Sequence, residues 1–206
     1  MGTYIFDFDG TLVDSMPAFG RVILRTLDEF GVVYPDNVVE IVTPMDTVGK
    51  VAYFTRLGVP AEFQQALGKN LYMEYAQHIP AKESVTETLR TLKVRGHSLS
   101  ILTAGPHLTL DPCVKRLGLW ELFDNVWSCD DFGTDKENPE IFRMAAERLR
   151  CAVEEIIFAD DSPRALRTAK AAGMRVCGVY DECAAAYEAE MRELCDMYIH
   201  SFKELL

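Results

Sequence analysis

The chain of 206 residues has six cysteines but no C-x-x-C pair. That absence argues against a zinc knuckle and a thioredoxin-type motif. Cys113, Cys129, Cys151, Cys177, Cys183 and Cys195 are read as reduced thiols of a cytoplasmic protein. Clusters of Lys or Arg are also lacking, and the formal net charge is −11. Nucleic acids and anionic membranes are bound through basic patches, so neither is expected as a partner; a small molecule is. The first apolar stretch has no basic residues before it and is cut at Asp7, so neither a signal peptide nor a transmembrane helix is expected. Internal repeats, low-complexity tracts and Gly/Ser linkers are missing too, and nothing in the pattern fixes an oligomeric state.

What is present is ordinary globular composition, 49% hydrophobic and 26% charged, enough for one sizeable core or a core with a small satellite. Tyr4, Ile5 and Phe6 begin a strand. Ser15 to Phe30 carries Phe19, Val22, Ile23, Leu27 and Phe30 at helical spacing and stops at Gly31. Residues 36–79 read as helical pieces broken by Pro35, Pro44, Pro60 and Pro80. Then the pattern alternates: a helix through Leu89 and Leu92, strand "SLSILTAG", a helix around Pro112 to Leu117, strand "NVWS", helix 138–150, strand "EIIFAD", helix 163–172, strand "RVCGVY", a helix from Glu182 to about Leu194, and strand "MYIH". Such alternation predicts an α/β fold: a Rossmann-like parallel sheet with helices on both faces, interrupted after its first strand by a small all-helical insert. The expected division is 1–14 with 81–206 as the core and 15–80 as the insert.

In a sheet of this kind ligands sit at the carboxyl ends of the strands. The first strand ends in Asp7 and Asp9, the second in Thr103, Ala104 and Gly105, and the fourth in Asp160 and Asp161; Lys136 lies in the loop after the third. Two acids two residues apart at the mouth of a buried strand point to one face and raise each other's cost of ionisation. Four acids on one rim need a counter-charge, and a hard divalent cation such as Mg²⁺, which binds carboxylates together with phosphate and water, supplies it.

These segments resemble the motifs of the haloacid dehalogenase superfamily: "DFDGTLVDS" the first, "LSILTAG" the second, Lys136 in "DKENPEIF" the third and "IIFADDSPRALRTAKAAGM" the fourth. Within it the chain is similar to the helical-cap phosphatases of phosphoglycolate phosphatase and beta-phosphoglucomutase type. The resemblance implies a Mg²⁺-dependent phosphomonoesterase acting on a small phosphorylated metabolite, with residues 15–80 as a mobile lid. It makes Asp7 the nucleophile that forms an aspartyl-phosphate and Asp9 the general acid and then base. It also assigns phosphate contacts to Gly10, Thr11, Thr103, Ala104 and Lys136, and metal contacts to Asp7, Asp9 (through its carbonyl), Asp161 and, through water, Asp160.

Departures are visible. Glu137 follows Lys136 where a proline is common, leaving Pro139, and Ala165 stands where another acid is common. Phe19 occupies the place of a histidine-containing motif in the sugar phosphomutases, which remain an alternative, as does a weakly active binding module on this scaffold. Taken singly, Asp14 or Ser15 reads as the cap of the first helix and Asp160 as the cap of helix 163–172. His107, Lys50 and Lys69 read as surface residues, with entrance or substrate contact as the second reading.

Overall fold

The computed structural model describes residues 2–43, 45 and 47–206; Pro44, read above as a helix breaker, lies outside them. Strand β1 (Thr3–Phe6) leads into helices α1 (Met16–Glu29), α2 (Val38–Val42), α3 (Thr47–Arg56) and α4 (Ala61–Gln77). After α5 (Val85–Val94), strands and helices alternate as β2 (Ser98–Thr103), α6 (His107–Arg116), β3 (Asn125–Ser128), α7 (Glu140–Leu149) and β4 (Ile156–Asp160). The chain ends through α8 (Pro163–Ala172), β5 (Arg175–Val179), α9 (Glu188–Leu194) and β6 (Met197–Ile199).

Among the described residues the strands form one parallel sheet in the order β3-β2-β1-β4-β5-β6. A parallel strand buried on both faces needs apolar residues at both parities. Along β1, Tyr4 and Phe6 enter one apolar cluster, with Leu99, Ile101 and the helices α5 and α6. Ile5 enters the other, with Leu102, Phe158 and the helices α7 and α8. The chain builds β2 and β3 on one side of β1 and returns to build β4 on the other. The loops after β1 and β4 therefore part at a switch point, where such sheets open a crevice.

Helices α1 to α4 hold a third cluster of their own around Val22, Leu27, Phe54 and Phe63. The two strands of chain joining them to the sheet run side by side: Asp14 N–H donates to the Pro80 carbonyl and Lys82 N–H to the Leu12 carbonyl, each at 3.0 Å, with Val13 facing Ala81 in an antiparallel bridge.

Three local expectations change. The helix from Glu182 begins as a tighter 3₁₀ stretch, Glu182–Tyr187, and only Glu188–Leu194 is α-helical; the Asp181 carboxylate accepts the Cys183 N–H and fixes that start. Helix α6 reaches back to His107 and carries Pro112 inside it, at the loss of one backbone bond. Neither Asp14 nor Ser15 caps α1 through its side chain; the Ser15 hydroxyl is committed elsewhere. No helix among the described residues is long and apolar enough to cross a membrane.

Candidate active site

Asp7 follows β1 directly, and its N–H donates to the Ala159 carbonyl of β4 at 2.8 Å. That bond places its side chain between the ends of the two strands that flank the switch point. Asp160 ends β4 and Asp161 follows it. One carboxylate oxygen from each of Asp7, Asp160 and Asp161 lies within 4.8 Å of the others. Lys136 reaches into this cluster from the loop before α7, its Nζ 2.5 Å from Asp7 Oδ1 and 2.7 Å from Asp160 Oδ2.

One buried ammonium does not neutralise three carboxylates. Burial pushes the Asp7 carboxyl well above its usual range; Lys136 pulls it back, and Asp160, Asp161 and Asp9 push it up again. Burial and the neighbouring Asp160 and Asp181 raise Asp161 to about 7. Burial alone would lower Lys136, but Asp160 and Asp7 overcome it and hold the ammonium above its usual value. A set of hard oxygen donors that cannot all ionise unaided fits a divalent cation of the Mg²⁺ kind.

The two members of the adjacent pair differ in their partners. Asp160 is 1% exposed, with one oxygen on Lys136 and the other accepting the Ser162 N–H at 2.7 Å. It holds the lysine and the start of α8 together. Asp161 accepts only the Thr11 hydroxyl, at 3.0 Å, among the hydrogen bonds of the described residues.

Asp9 stands apart from the carboxylate cluster. Its Oδ1 accepts the Ser15 hydroxyl at 2.6 Å and the Tyr75 hydroxyl at 2.6 Å. Tyr75 belongs to α4 and is 3% exposed; burial and then the Asp9 charge raise its phenol well above its usual value. Thr103 ends β2, 1% exposed, and its oxygen accepts the Gly105 N–H at 3.1 Å. The turn is tight at Gly105, where a Cβ would stand 3.2 Å from Asp9 Oδ2.

Most of the expected residues therefore gather. Asp7, Asp9, Thr103, Ala104, Lys136, Asp160 and Asp161 line one cavity of about 400 Å³, whereas Gly10 and Thr11 do not. The Gly10 N–H is used by the Val13 carbonyl at 3.0 Å and the Thr11 hydroxyl by Asp161. Both groups are engaged within the loop and with Asp161. Gly10 is required there, with φ at +77° and an added Cβ only 2.5 Å from Asp161 Oδ2.

Lys50 lines the cavity and Lys69 does not. His107 is no free surface histidine: Nδ1 meets Asp111 at 2.7 Å and Nε2 meets Asp131 at 2.9 Å. Glu137 pairs with Arg164 at 3.5 Å. Ala165 packs into the cluster under α8, while an acid from another element, Asp181, reaches Asp161 electrostatically and is tied to Lys82 at 2.7 Å.

Tyr75 and the Lys82–Asp181 pair escaped the sequence reading, which took Ser15 only as a helix cap. Only Tyr75 left a trace, because it continues the stripe Phe63, Leu67, Leu71 at intervals of four, where a buried phenol needs a partner for its hydroxyl.

Residues 4–179 match the sequence profile of the haloacid dehalogenase-like hydrolases. A pyrophosphatase, PpaX, of Bacillus velezensis is 30% identical over 181 residues, spanning 85% of this chain and 81% of that protein. A phosphoglycolate phosphatase of Escherichia coli is 26% identical over 201 residues, spanning 84% and 79%. The crystal structure of CbbY from Rhodobacter sphaeroides in complex with xylulose-(1,5)bisphosphate shares the fold at a TM-score of 0.83 and 22% identity, over 100% of this chain and 96% of that one. The profile match takes in every strand end that contributes to the carboxylate and lysine cluster, and the chain belongs to the haloacid dehalogenase-like hydrolase family.

Proposed function

We propose that the chain is a phosphomonoesterase that hydrolyses a small phosphorylated metabolite through an aspartyl-phosphate on Asp7. The observation that carries this reading is the buried Asp7 carboxylate at the carboxyl end of the central strand, 2.5 Å from Lys136 Nζ and facing the cavity. An Asp7 oxygen attacks phosphorus in line with the ester oxygen, whose bond breaks as Asp9 gives it a proton. Asp9, now ionised, takes a proton from water; that water attacks phosphorus, releasing phosphate and restoring Asp7. Lys136, the Thr103 hydroxyl and the Ala104 amide are assigned to the non-bridging oxygens, where charge shifts in the transition state.

Asp7 and Asp161 would hold Mg²⁺ directly, with the Asp9 carbonyl, while Asp160, occupied by Lys136 and Ser162, would support the site. When bound, the cation would supply positive charge that keeps Asp7 ionised and offsets the negative charge of the phosphoryl group. Phosphate release is supported by the names of the relatives, pyrophosphatase and phosphoglycolate phosphatase. Phe19 lines the cavity and offers no proton relay there, which favours hydrolysis over phosphoryl return to a sugar. Residues 15–80 act as a lid over a core of 1–14 and 81–206, in a cytoplasmic enzyme whose six cysteines are free thiols.

Phosphate release from p-nitrophenyl phosphate with Mg²⁺ tests the reading. Asp7→Asn, which removes the nucleophile and keeps the volume, is expected to lower turnover roughly a thousandfold or more. Turnover within about tenfold of wild type would overturn it.

A further inference from the structure

Above the carboxylates the cavity changes character. Its walls come from α1, α3, α4 and α6, and are formed largely by Phe19, Val51, Phe54, Leu67, Leu71 and Leu108. The polar side chains among them are mostly engaged. The Thr43 hydroxyl donates to the Val39 carbonyl at 2.7 Å and the Thr47 hydroxyl to Asp130 at 3.2 Å. Lys50 Nζ lies over the Phe19 ring, 5.7 Å from its centre, and Arg164 pairs with Glu137. Gln64 lines the cavity with other atoms, and its side-chain nitrogen is sealed from it, buried with no hydrogen-bond partner among the described residues.

We infer that the phosphomonoester taken by this site has an apolar body the size of a ring, carrying few or no hydroxyls. The inference rests on the phosphatase reading above. A cavity of about 400 Å³ leaves space for such a body beside the phosphoryl group, since a cavity of roughly 150 Å³ takes up benzene. A sugar or glycerol body would bring hydroxyls against phenyl and leucine walls, where each gives up its water and gains no partner. A hydrocarbon body instead removes its own surface and that of the walls from water.

Cyclohexylmethyl phosphate and glucose 6-phosphate separate the possibilities, since both are primary alkyl esters on a six-membered ring and differ mainly in hydroxyls. With Mg²⁺ present, kcat/KM is expected to be at least tenfold higher for cyclohexylmethyl phosphate, with most of the difference in KM. Equal values or the reverse order would overturn the inference. Titrating the same two esters into Asp7→Asn by calorimetry reads the preference without turnover. Absence of hydrolysis in wild type then counts against the phosphatase reading, and absence of a binding preference counts against this one. Leu108→Asp, at a half-exposed position where folding tolerates the change, should narrow the ratio; an unchanged ratio would mean that the body does not reach this wall.

Discussion

The Asp9 carboxylate takes two hydroxyl donors on a single oxygen, one from Ser15 at the start of the insert and one from Tyr75 near its end. A group that delivers and then recovers a proton depends on being held at the right angle. Tyr75→Phe removes one hold while keeping the ring in its buried place. Turnover of an alkyl phosphate is expected to drop roughly tenfold with KM little changed, and turnover of p-nitrophenyl phosphate, whose leaving group needs no proton, much less. Equal losses on the two substrates would show that the phenol acts only through packing. Asp161 offers a second test at this scale. Its carboxyl is raised from an ordinary 3.8 to about 7, so in metal-free protein its contribution to stability is present below the lower value and is lost as pH rises toward the higher one. In EDTA, Asp161→Asn is therefore expected to melt a few degrees above wild type at pH 8 and close to it at pH 4. Added Mg²⁺ should reverse the order at pH 8, since it binds the ionised acid. A melting difference that does not vary with pH would remove Asp161 from the buried cluster. That Asp7, Asp160 and Asp161 share a rim could be read from their positions at strand ends. That Tyr75 and Ser15 share an oxygen of Asp9 could not, because 66 residues separate Tyr75 from Asp9.

Helix α8 carries a precise start and stop. Pro163 opens it with no loss, since the first N–H of a helix lacks a partner within it. Gly173 ends it in the left-handed region with φ at 107°, and an added Cβ would stand 3.0 Å from Val153 Cγ1. Gly173→Ala is expected to destabilise the protein by about 1–2 kcal/mol, lowering the melting temperature by several degrees in a chain of this size. An unchanged melting temperature would mean that the turn relaxes without strain. Proline and glycine made α8 legible to the residue, because they act on their own backbone. Helix α6 was harder to place, since Pro112 is a local breaker kept inside a helix by burial of Thr109, Leu110, Cys113 and Val114. The segment after Asp181 was misread for a related reason: the tight start depends on one carboxylate bonding one N–H, which helical periodicity does not register.

At the scale of the molecule, the sheet and the insert meet through two crossing segments bridged at Val13 and Ala81, and through bonds such as Tyr75 to Asp9 that span the catalytic cavity. On the lid reading proposed above, two short segments side by side would serve as the hinge and the bonds across the cavity would hold its closed position. Crystals with and without a phosphate mimic such as a metal fluoride are expected to differ by a rigid-body rotation of residues 15–80 about that bridge, with the Tyr75 to Asp9 bond broken when the cavity is open. An unchanged angle in several independent lattices would indicate a fixed pocket.

Alternation of strand and helix, the proline-bounded insert and the acids at strand ends were determined by the sequence alone. Each follows from a short-range rule: period of two or of 3.6, absence of an N–H in proline, polar residues where a buried strand emerges. Tertiary structure decided what depends on distant residues meeting. It tied the Gly10 N–H to Val13 and the Thr11 hydroxyl to Asp161, gave Asp160 to Lys136 while leaving Asp161 a single hydroxyl donor among the described residues, and set an apolar wall from four helices above a charged floor. Pairing and burial of this kind are fixed by packing in three dimensions, and side chains far apart in the chain carry no local mark of it.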